Sequence, residues 1–389
     1  MKWFQQLAAA AAFFVILSCA SALADAETDR LRAEFQDIVQ GLNDDSFDKF
    51  RRAIVQKDML ARIFADRLID TEVKKSITKT FATSIQQMFI SSFPKSKKEI
   101  LGTLIDFGFQ GSEGRAIVRY VASGYRYSYH VYELGLGPNG RLVIRDWIDY
   151  YEGGRFSDNA GEALVMAMPS KPASRNLLTN KSLGDGDIFQ VVELFKAVRD
   201  NKPDRFFQIY DGLKEVLLKE KVIVLASLRL ASIAGDKARI GHAVRIMAET
   251  YPDDPLYSLK LVEFYIPSRQ YQEAIDALAV LQNGLGLKDG ATESLKASAA
   301  LAMGNTADAE QYALQATVVE PSLELSWWSL LRARTRAENY SGATEALAHL
   351  EDDFGHTLDP AKLGRDRFLK ELADKQEYLD WRAAREQDE

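Results

Sequence analysis

Cysteine is almost absent from this 389-residue chain, where Cys19 is the only one. A single thiol cannot close an intramolecular disulfide, so stability must come from packing. Histidine is nearly as scarce: His130, His242, His349 and His356 show no metal-ligand spacing. There is no basic excess either. The net charge is −7 and the pI about 5.4, which argues against a nucleic-acid binder, where a basic face is the rule. The short run Lys95, Lys97 and Lys98 reads as a solvated loop. No G-x-S-x-G elbow, Walker loop or H-E-x-x-H helix occurs. Gly135 to Gly140 has the letters of a dinucleotide fingerprint, but it joins two strands instead of opening a helix. A hairpin turn is the reading that fits. These absences imply no cofactor, no metal and no catalytic residue.

Long apolar runs are missing after the first twenty-odd residues. Leu7 to Leu17 is apolar over 11 residues, too short to span a bilayer comfortably. Lys2 precedes it, and Ala22-Leu23-Ala24 follows with the small-x-small pattern of a cleavage site. Residues 1–24 are therefore expected to be a signal peptide, and the chain an exported one of bacterial type, with the periplasm as default compartment. Ile16-Leu17-Ser18-Cys19 loosely resembles a lipobox, which keeps a lipid anchor at Cys19 and an outer-membrane or secreted location as alternatives. Cleavage after Ala24 would remove Lys2 and Cys19. The mature chain would have no transmembrane span.

What remains is globular: 47% of residues are hydrophobic and 27% charged, and the length suggests two domains. The stretch 168–186 is rich in Pro, Ser, Asn, Gly and Asp and reads as a linker. Beyond it lies a repeat. GNTADAEQYALQATVVEP, Gly304 to Pro321, has Gly304 where a first helix ends, small residues at Ala309 and Ala316, and a closing Pro321. Ala274, Ala309 and Ala343 hold equivalent places, 35 and 34 residues apart. Ala297 takes the small position of a first helix. Further steps of 34 fall on Ile240 and Phe206, where large residues stand. Apolar residues at helical spacing (Leu256, Leu259, Phe264, then Ile275, Leu278, Leu281) ask each hairpin to be covered by its neighbour. This pattern resembles the tetratricopeptide repeat over 187–357. The resemblance implies an all-α superhelix whose groove holds a protein or peptide. Residues 358–389 are expected to form a polar capping helix with Leu363, Phe368, Leu369, Leu372 and Leu379 inward.

The segment 25–167 is mixed. Leu31, Phe35, Ile38, Val39 and Leu42 share one helical face, and Val73, Ile77, Phe81, Ile85, Met88 and Phe89 another. The period then becomes two in RAIVRYVAS, YRYSYHVYEL and RLVIRDWIDYY, with Ile100 to Phe109 as a further strand. Helices followed by an antiparallel meander predict an α+β layer, with turns at Gly111–Gly114 and Gly137–Gly140. The order is similar to the nuclear-transport-factor-like or cystatin-like cone, which implies helices closing a curved sheet over a pocket. Alternation puts Arg126, Ser128, His130 and Tyr132 on one face of a strand and Tyr125, Tyr127 and Tyr129 on the other. His130, Asp146 and Arg145 are the candidates for a pocket there.

In the repeat, the family frame puts Trp327 at the buried packing position. Trp328, Arg332 and Leu325 are the candidates for the groove face. The leading expectation is thus an interaction scaffold for a protein or peptide and not an enzyme. The alternatives are a ligand- or lipid-binding protein using the N-terminal pocket, and an enzyme of the cone superfamily.

Overall fold

The computed structural model describes residues 25–91, 101–122 and 126–388. The expected signal peptide with Cys19, the lysines Lys95, Lys97 and Lys98, and Tyr125 lie outside these residues. Two compact units divide the chain, one through Ala243 and one from Val244.

The first unit opens with four helices: α1 (residues 25–43), α2 (Asp48–Ala53), α3 (Gln56–Phe64) and α4 (Thr71–Ser91). They form because their apolar residues recur every three or four positions, and those positions are the ones buried: Leu31, Phe35, Ile38 and Val39 in α1, Phe81, Ile85 and Phe89 in α4. The sheet follows as an antiparallel meander, β1 (Leu101–Gln110), β2 (Glu113–Ala122), β3 (Arg126–Leu136), β4 (Leu142–Asp149) and β5 (Gly154–Arg155), in that spatial order. The expected turns are present. Gly111 has φ 61°, and the Pro138–Gly140 turn holds Asn139 at φ 64° and Gly140 at φ 67°, values that favour Gly and Asn. Arg145 is an extra residue in β4: Leu134 pairs with Ile144 while Glu133 pairs with Asp146, a bulge that re-aims the side chains beyond it.

Helices and sheet share one core. Val118, Tyr120, Tyr132, Leu134, Ile144 and Trp147 project from the strands onto Phe35, Phe50 and Phe89 of the helices. Phe156, at the start of α5 (Phe156–Ala167), stacks on Trp147 with ring centres 4.0 Å apart and planes at 18°.

The stretch expected to be a linker is folded. It carries α6 (Lys171–Leu177), whose N-terminus is capped by the Ser170 hydroxyl accepting from Ala173 N. Arg175 donates to Leu183 O at 2.7 Å. The Glu220 carboxylate accepts from Thr179 N and Asn180 N, both at 2.8 Å. Composition suggested a loop, but turn-rich segments also cap and staple helices. Then come α7 (Asp185–Arg199), α8 (Pro203–Tyr210), α9 (Glu215–Leu218) and α10 (Lys221–Ala234). A second core holds them together, built on Ile188, Leu194, Phe195, Phe206, Ile223 and Leu230. Of the two early positions where the repeat departs from a small residue, Phe206 is buried in this core and Ile240 packs on its margin. The division between units falls inside α11 (Lys237–Thr250).

The second unit is a series of helical hairpins: α12 (Ser258–Tyr265) with α13 (Tyr271–Leu285), α14 (Gly290–Ala302) with α15 (Thr306–Val319), and α16 (Glu324–Arg336) with α17 (Tyr340–Asp352). Each second helix packs on its own first helix and on the next first helix. Ala274, Ala309 and Ala343 are fully buried, as are Ala297 and Ala316; a small side chain there lets two backbones approach. Gly286 (φ 70°) and Gly304 (φ 82°) end α13 and the α14 turn in the left-handed conformation. Asp289, Asn305 and Asn339 cap α14, α15 and α17 through their side chains.

The C-terminal segment is not one helix. It makes α18 (Pro360–Leu363), a run of turns with a single 3-10 turn at Leu372–Asp374, and α19 (Gln376–Asp388). Asp359 caps the first piece, and the Asp366 carboxylate accepts from Phe368 N in the turn that follows. Leu363, Leu369 and Leu372 point inward as expected, but Phe368 is half-buried and Leu379 is 46% exposed, its expected place taken by the fully buried Tyr378. The break rotates the helical face, so a period counted through it fails. Arg385 fastens α19 to Asp352 of α17 with two contacts of 2.6 Å.

Candidate functional site

The sheet brings together a buried polar chain that only partly follows the sequence expectation. Strand pairing sets His130 opposite Asp149 and Tyr132 opposite Trp147, so their side chains share the core face. His130 Nε2 lies 3.2 Å from Asp149 Oδ2. On its other side Nδ1 is 3.3 Å from the Tyr132 hydroxyl, which is 2.7 Å from the Tyr120 hydroxyl. Asp149 Oδ1 accepts from Tyr151 N at 2.8 Å and Glu152 N at 2.9 Å. Burial alone would raise the Asp149 carboxyl; the His130 charge and these hydrogen bonds more than offset it and hold it below the usual range. Burial pushes the Tyr120 and Tyr132 hydroxyls up, away from ionisation. His130 has 0% of its surface exposed and is ringed by Phe89, Tyr120, Tyr132 and Trp147. Asp149 is buried with it, at 2% exposed.

Asp146 and Arg145 are not with His130. Asp146 lies on the opposite face, where it is fully buried. It accepts from Ser157 Oγ at 2.6 Å, Trp147 N at 2.9 Å and Ser157 N at 3.3 Å. Burial raises its pKa despite these bonds and the nearby Arg155. Arg62 stands 3.5 Å and Arg155 3.8 Å from the same carboxylate. Both guanidinium groups also hold Glu133, Arg62 at 2.8 Å. Burial works to raise Glu133 and the two arginines overcome it, leaving its pKa low. Two cations meet two anions, so the cluster is internally balanced. Arg145 lies over Gly135, whose missing Cβ makes room for the guanidinium, and points to Glu113 at 3.4 Å. The expected trio is therefore spread over two faces.

The repeat unit offers an open site. Trp328 and Arg332 are four residues apart on α16 and share a face. Arg332 sits over the Trp328 ring at 5.4 Å and donates from Nε to Asp366 Oδ2 at 2.8 Å. Glu324 fixes the indole from one side by accepting from Trp328 Nε1 at 2.8 Å, and it also meets His356 Nε2 at 2.8 Å. Trp328, Leu358, Leu363 and Leu369 give this cleft an apolar floor. Arg332, Lys362, Arg365 and Asp366 form its polar rim, and the open cleft has a volume of about 350 Å³. Leu325 is half-buried and lies outside the lining. Trp327 is not sealed between helices: it is half-buried, stacked on His349 at 3.7 Å, and donates from Nε1 to Pro321 O at 2.8 Å.

Sequence reasoning missed the far wall of this cleft. KLGRDRFLK, Lys362 to Lys370, puts four cations beside one acid in a chain of net charge −7. That local reversal was the available signal, hidden because the segment read as the solvated side of a helix. It also missed a buried network in the hairpins. Gln282 Nε2 donates to Thr292 Oγ1 at 2.8 Å and Glu293 Oε1 at 2.7 Å, while Lys296 donates to Gln282 Oε1 and stands 3.5 Å from Glu293. Burial lowers the Lys296 pKa.

Among the described residues no helix is long and apolar enough to cross a membrane. No family model matches the chain, and no curated protein matches it. A solved structure, the Chs5-Chs6 exomer cargo adaptor complex bound to a portion of Chs3, is similar at 11% identity and a TM-score of 0.24. The match covers 69% of this chain and 43% of that one, so the chain spans less than half the length of that protein. A likeness at this score assigns neither fold nor partner.

Proposed function

We propose that this chain is an exported interaction scaffold whose helical hairpins hold a protein or peptide partner. The observation that carries the reading is the cleft beside α16: a half-buried tryptophan and an arginine on one helical face, backed by the buried Leu358, Leu363 and Leu369. Interfaces concentrate binding energy at Trp and Arg set in such surroundings. The N-terminal unit supports the same reading by elimination of a rival. Phe35, Phe50, Phe89, Tyr120, Tyr132 and Trp147 pack over its sheet among the described residues, and His130 is buried beneath them, which favours a packed core over a ligand pocket. On this proposal the N-terminal α+β layer is a support and the repeats the working surface.

Export rests on the sequence pattern of residues 1–24. The mature chain then begins at Asp25 and works in the periplasm. The intact mass of the native protein tests this; a diacylated Cys19 as first residue would replace the soluble form with a lipoprotein. Docking is tested by binding of the native partner to Trp328→Ala beside the parent. The scaffold reading expects binding to weaken at least about tenfold, about 1.4 kcal/mol, with the helical circular dichroism kept. Unchanged binding would move the docking surface elsewhere.

A further inference from the structure

The charges around the cleft say what kind of segment it takes. Arg332, Lys362 and Arg365 line it against one carboxylate, Asp366, and Asp366 is already engaged by Arg332 at 2.8 Å. Arg365 is exposed and makes no ion pair among the described residues; Lys362 is exposed and its Nζ reaches only a backbone oxygen, Thr357 O at 2.5 Å. Arg367 and Lys370 follow in the sequence, outside the lining of the cleft. Trp328, half-buried, is the apolar surface the cleft presents beneath the cations that line it, backed by the buried Leu358, Leu363 and Leu369. The volume, about 350 Å³, is at the small end of ligand clefts and suits one bulky side chain better than a lipid tail.

We propose that the cleft takes an acidic peptide segment with a central aromatic or large aliphatic side chain. That side chain seats on Trp328, and flanking carboxylates meet Lys362 and Arg365. Arg332 has a different part. Held by Asp366 and stacked on the indole, it is a positioning residue that keeps Trp328 turned toward the cleft. The cations act by charge complementarity, so they set which segment binds and how salt-sensitive the complex is. This inference rests on the docking reading above and adds the chemistry of the partner.

The test uses the mature full-length chain and three fluorescein-labelled peptides of about eight residues, alike except at the residues flanking a central Phe. Those residues are Asp and Glu in the first, Asn and Gln in the second, and Lys in the third. Fluorescence polarisation should show the acidic peptide binding at least about tenfold tighter than the neutral one, and the basic one weakest. The double variant K362E/R365E should reverse the order, and Trp328→Phe should weaken all three in common. An acidic peptide no tighter than the neutral one, an order unchanged in K362E/R365E, or no saturable binding below about 1 mM would overturn the inference. So would anionic phosphatidylglycerol vesicles competing where the acidic peptide does not. The two readings separate with the native partner. Binding lost in Trp328→Ala but untouched by K362E/R365E keeps the docking surface and removes the acidic segment. Binding untouched by either removes both.

Discussion

Asp149→Ala should be among the most damaging single changes in the N-terminal unit, and its cost can be worked from the contacts. The carboxylate has 3% of its side chain exposed and faces His130 at 3.2 Å. Removing one partner of a buried pair costs about 3–5 kcal/mol, because the other is left uncompensated. Tyr151 N and Glu152 N also lose their acceptor, about 0.5–1.5 kcal/mol each where water reaches them. The lost pair gives about 3–5 kcal/mol for Asp149→Ala, and the two N–H groups add about 1–3 kcal/mol. Asp149→Asn keeps an oxygen for both N–H groups and loses only the charge, so about 1–2 kcal/mol is expected. His130→Phe in the Asp149→Asn background should cost less than the two changes summed, since each removes the same interaction. Hydrogen exchange read by mass spectrometry on β3 and β4 peptides across a urea series isolates this unit. The pH dependence carries a sign. The Asp149 carboxyl titrates lower in the fold than its ordinary 3.8. Its contribution is complete above that value and is lost as pH falls below it through the folded value. Protection of β3 and β4 should therefore fall more steeply below about pH 3.8 in the parent than in Asp149→Asn. Asp149→Ala within about 0.5 kcal/mol of the parent, or Asn as costly as Ala, would refute the reasoning.

Two further outcomes follow from the repeats. Gly290→Ala puts a Cβ 2.8 Å from Glu320 Cβ and 2.9 Å from Ser326 Oγ, so the α14–α16 junction must shift; a loss of about 1–3 kcal/mol in urea unfolding is expected, and an unchanged midpoint would contradict it. Lys296→Met replaces a buried ammonium, whose pKa burial already lowers, with an apolar chain of similar length. It leaves the buried Glu293 carboxyl and Gln282 Oε1 without that partner, so the melting temperature should fall by several degrees; an unchanged or raised value would show that the Lys296–Gln282–Glu293 network does not stabilise the array.

How much could be read in advance differs between the two units for a physical reason. A helical hairpin needs a small residue at one point and apolar residues at fixed intervals, so Ala274, Ala309 and Ala343 declare it without knowledge of what lies across the groove. The meander was equally legible, since alternation and the Gly-Asn turn at 137–140 are local. The pocket trio could not share one face, because neighbours such as Arg145 and Asp146 alternate along a regular strand; pairing then sets Asp149, on the Trp147 face, opposite His130, and the register between two strands is not a local property. Trp327 failed because the family frame assigns a depth that the neighbour must supply, and here the neighbour is His349, stacked at the surface. The far wall of the cleft was hidden for a related reason. Its residues come from a segment that breaks at Gly364 and turns back, so a helical period drawn through 360–387 placed Lys362 and Arg365 in solvent with no partner face.

The most direct test of the scaffold account replaces Trp328 with the photo-crosslinker p-benzoylphenylalanine in the exported chain, irradiates intact cell envelopes, and maps the adducts. Val318, 70% exposed on α15, serves as the control position. The account predicts one reproducible protein adduct from position 328, lost in the K362E/R365E background and absent from position 318. Equal adducts from both positions, or an adduct from 318 and none from 328, would contradict it.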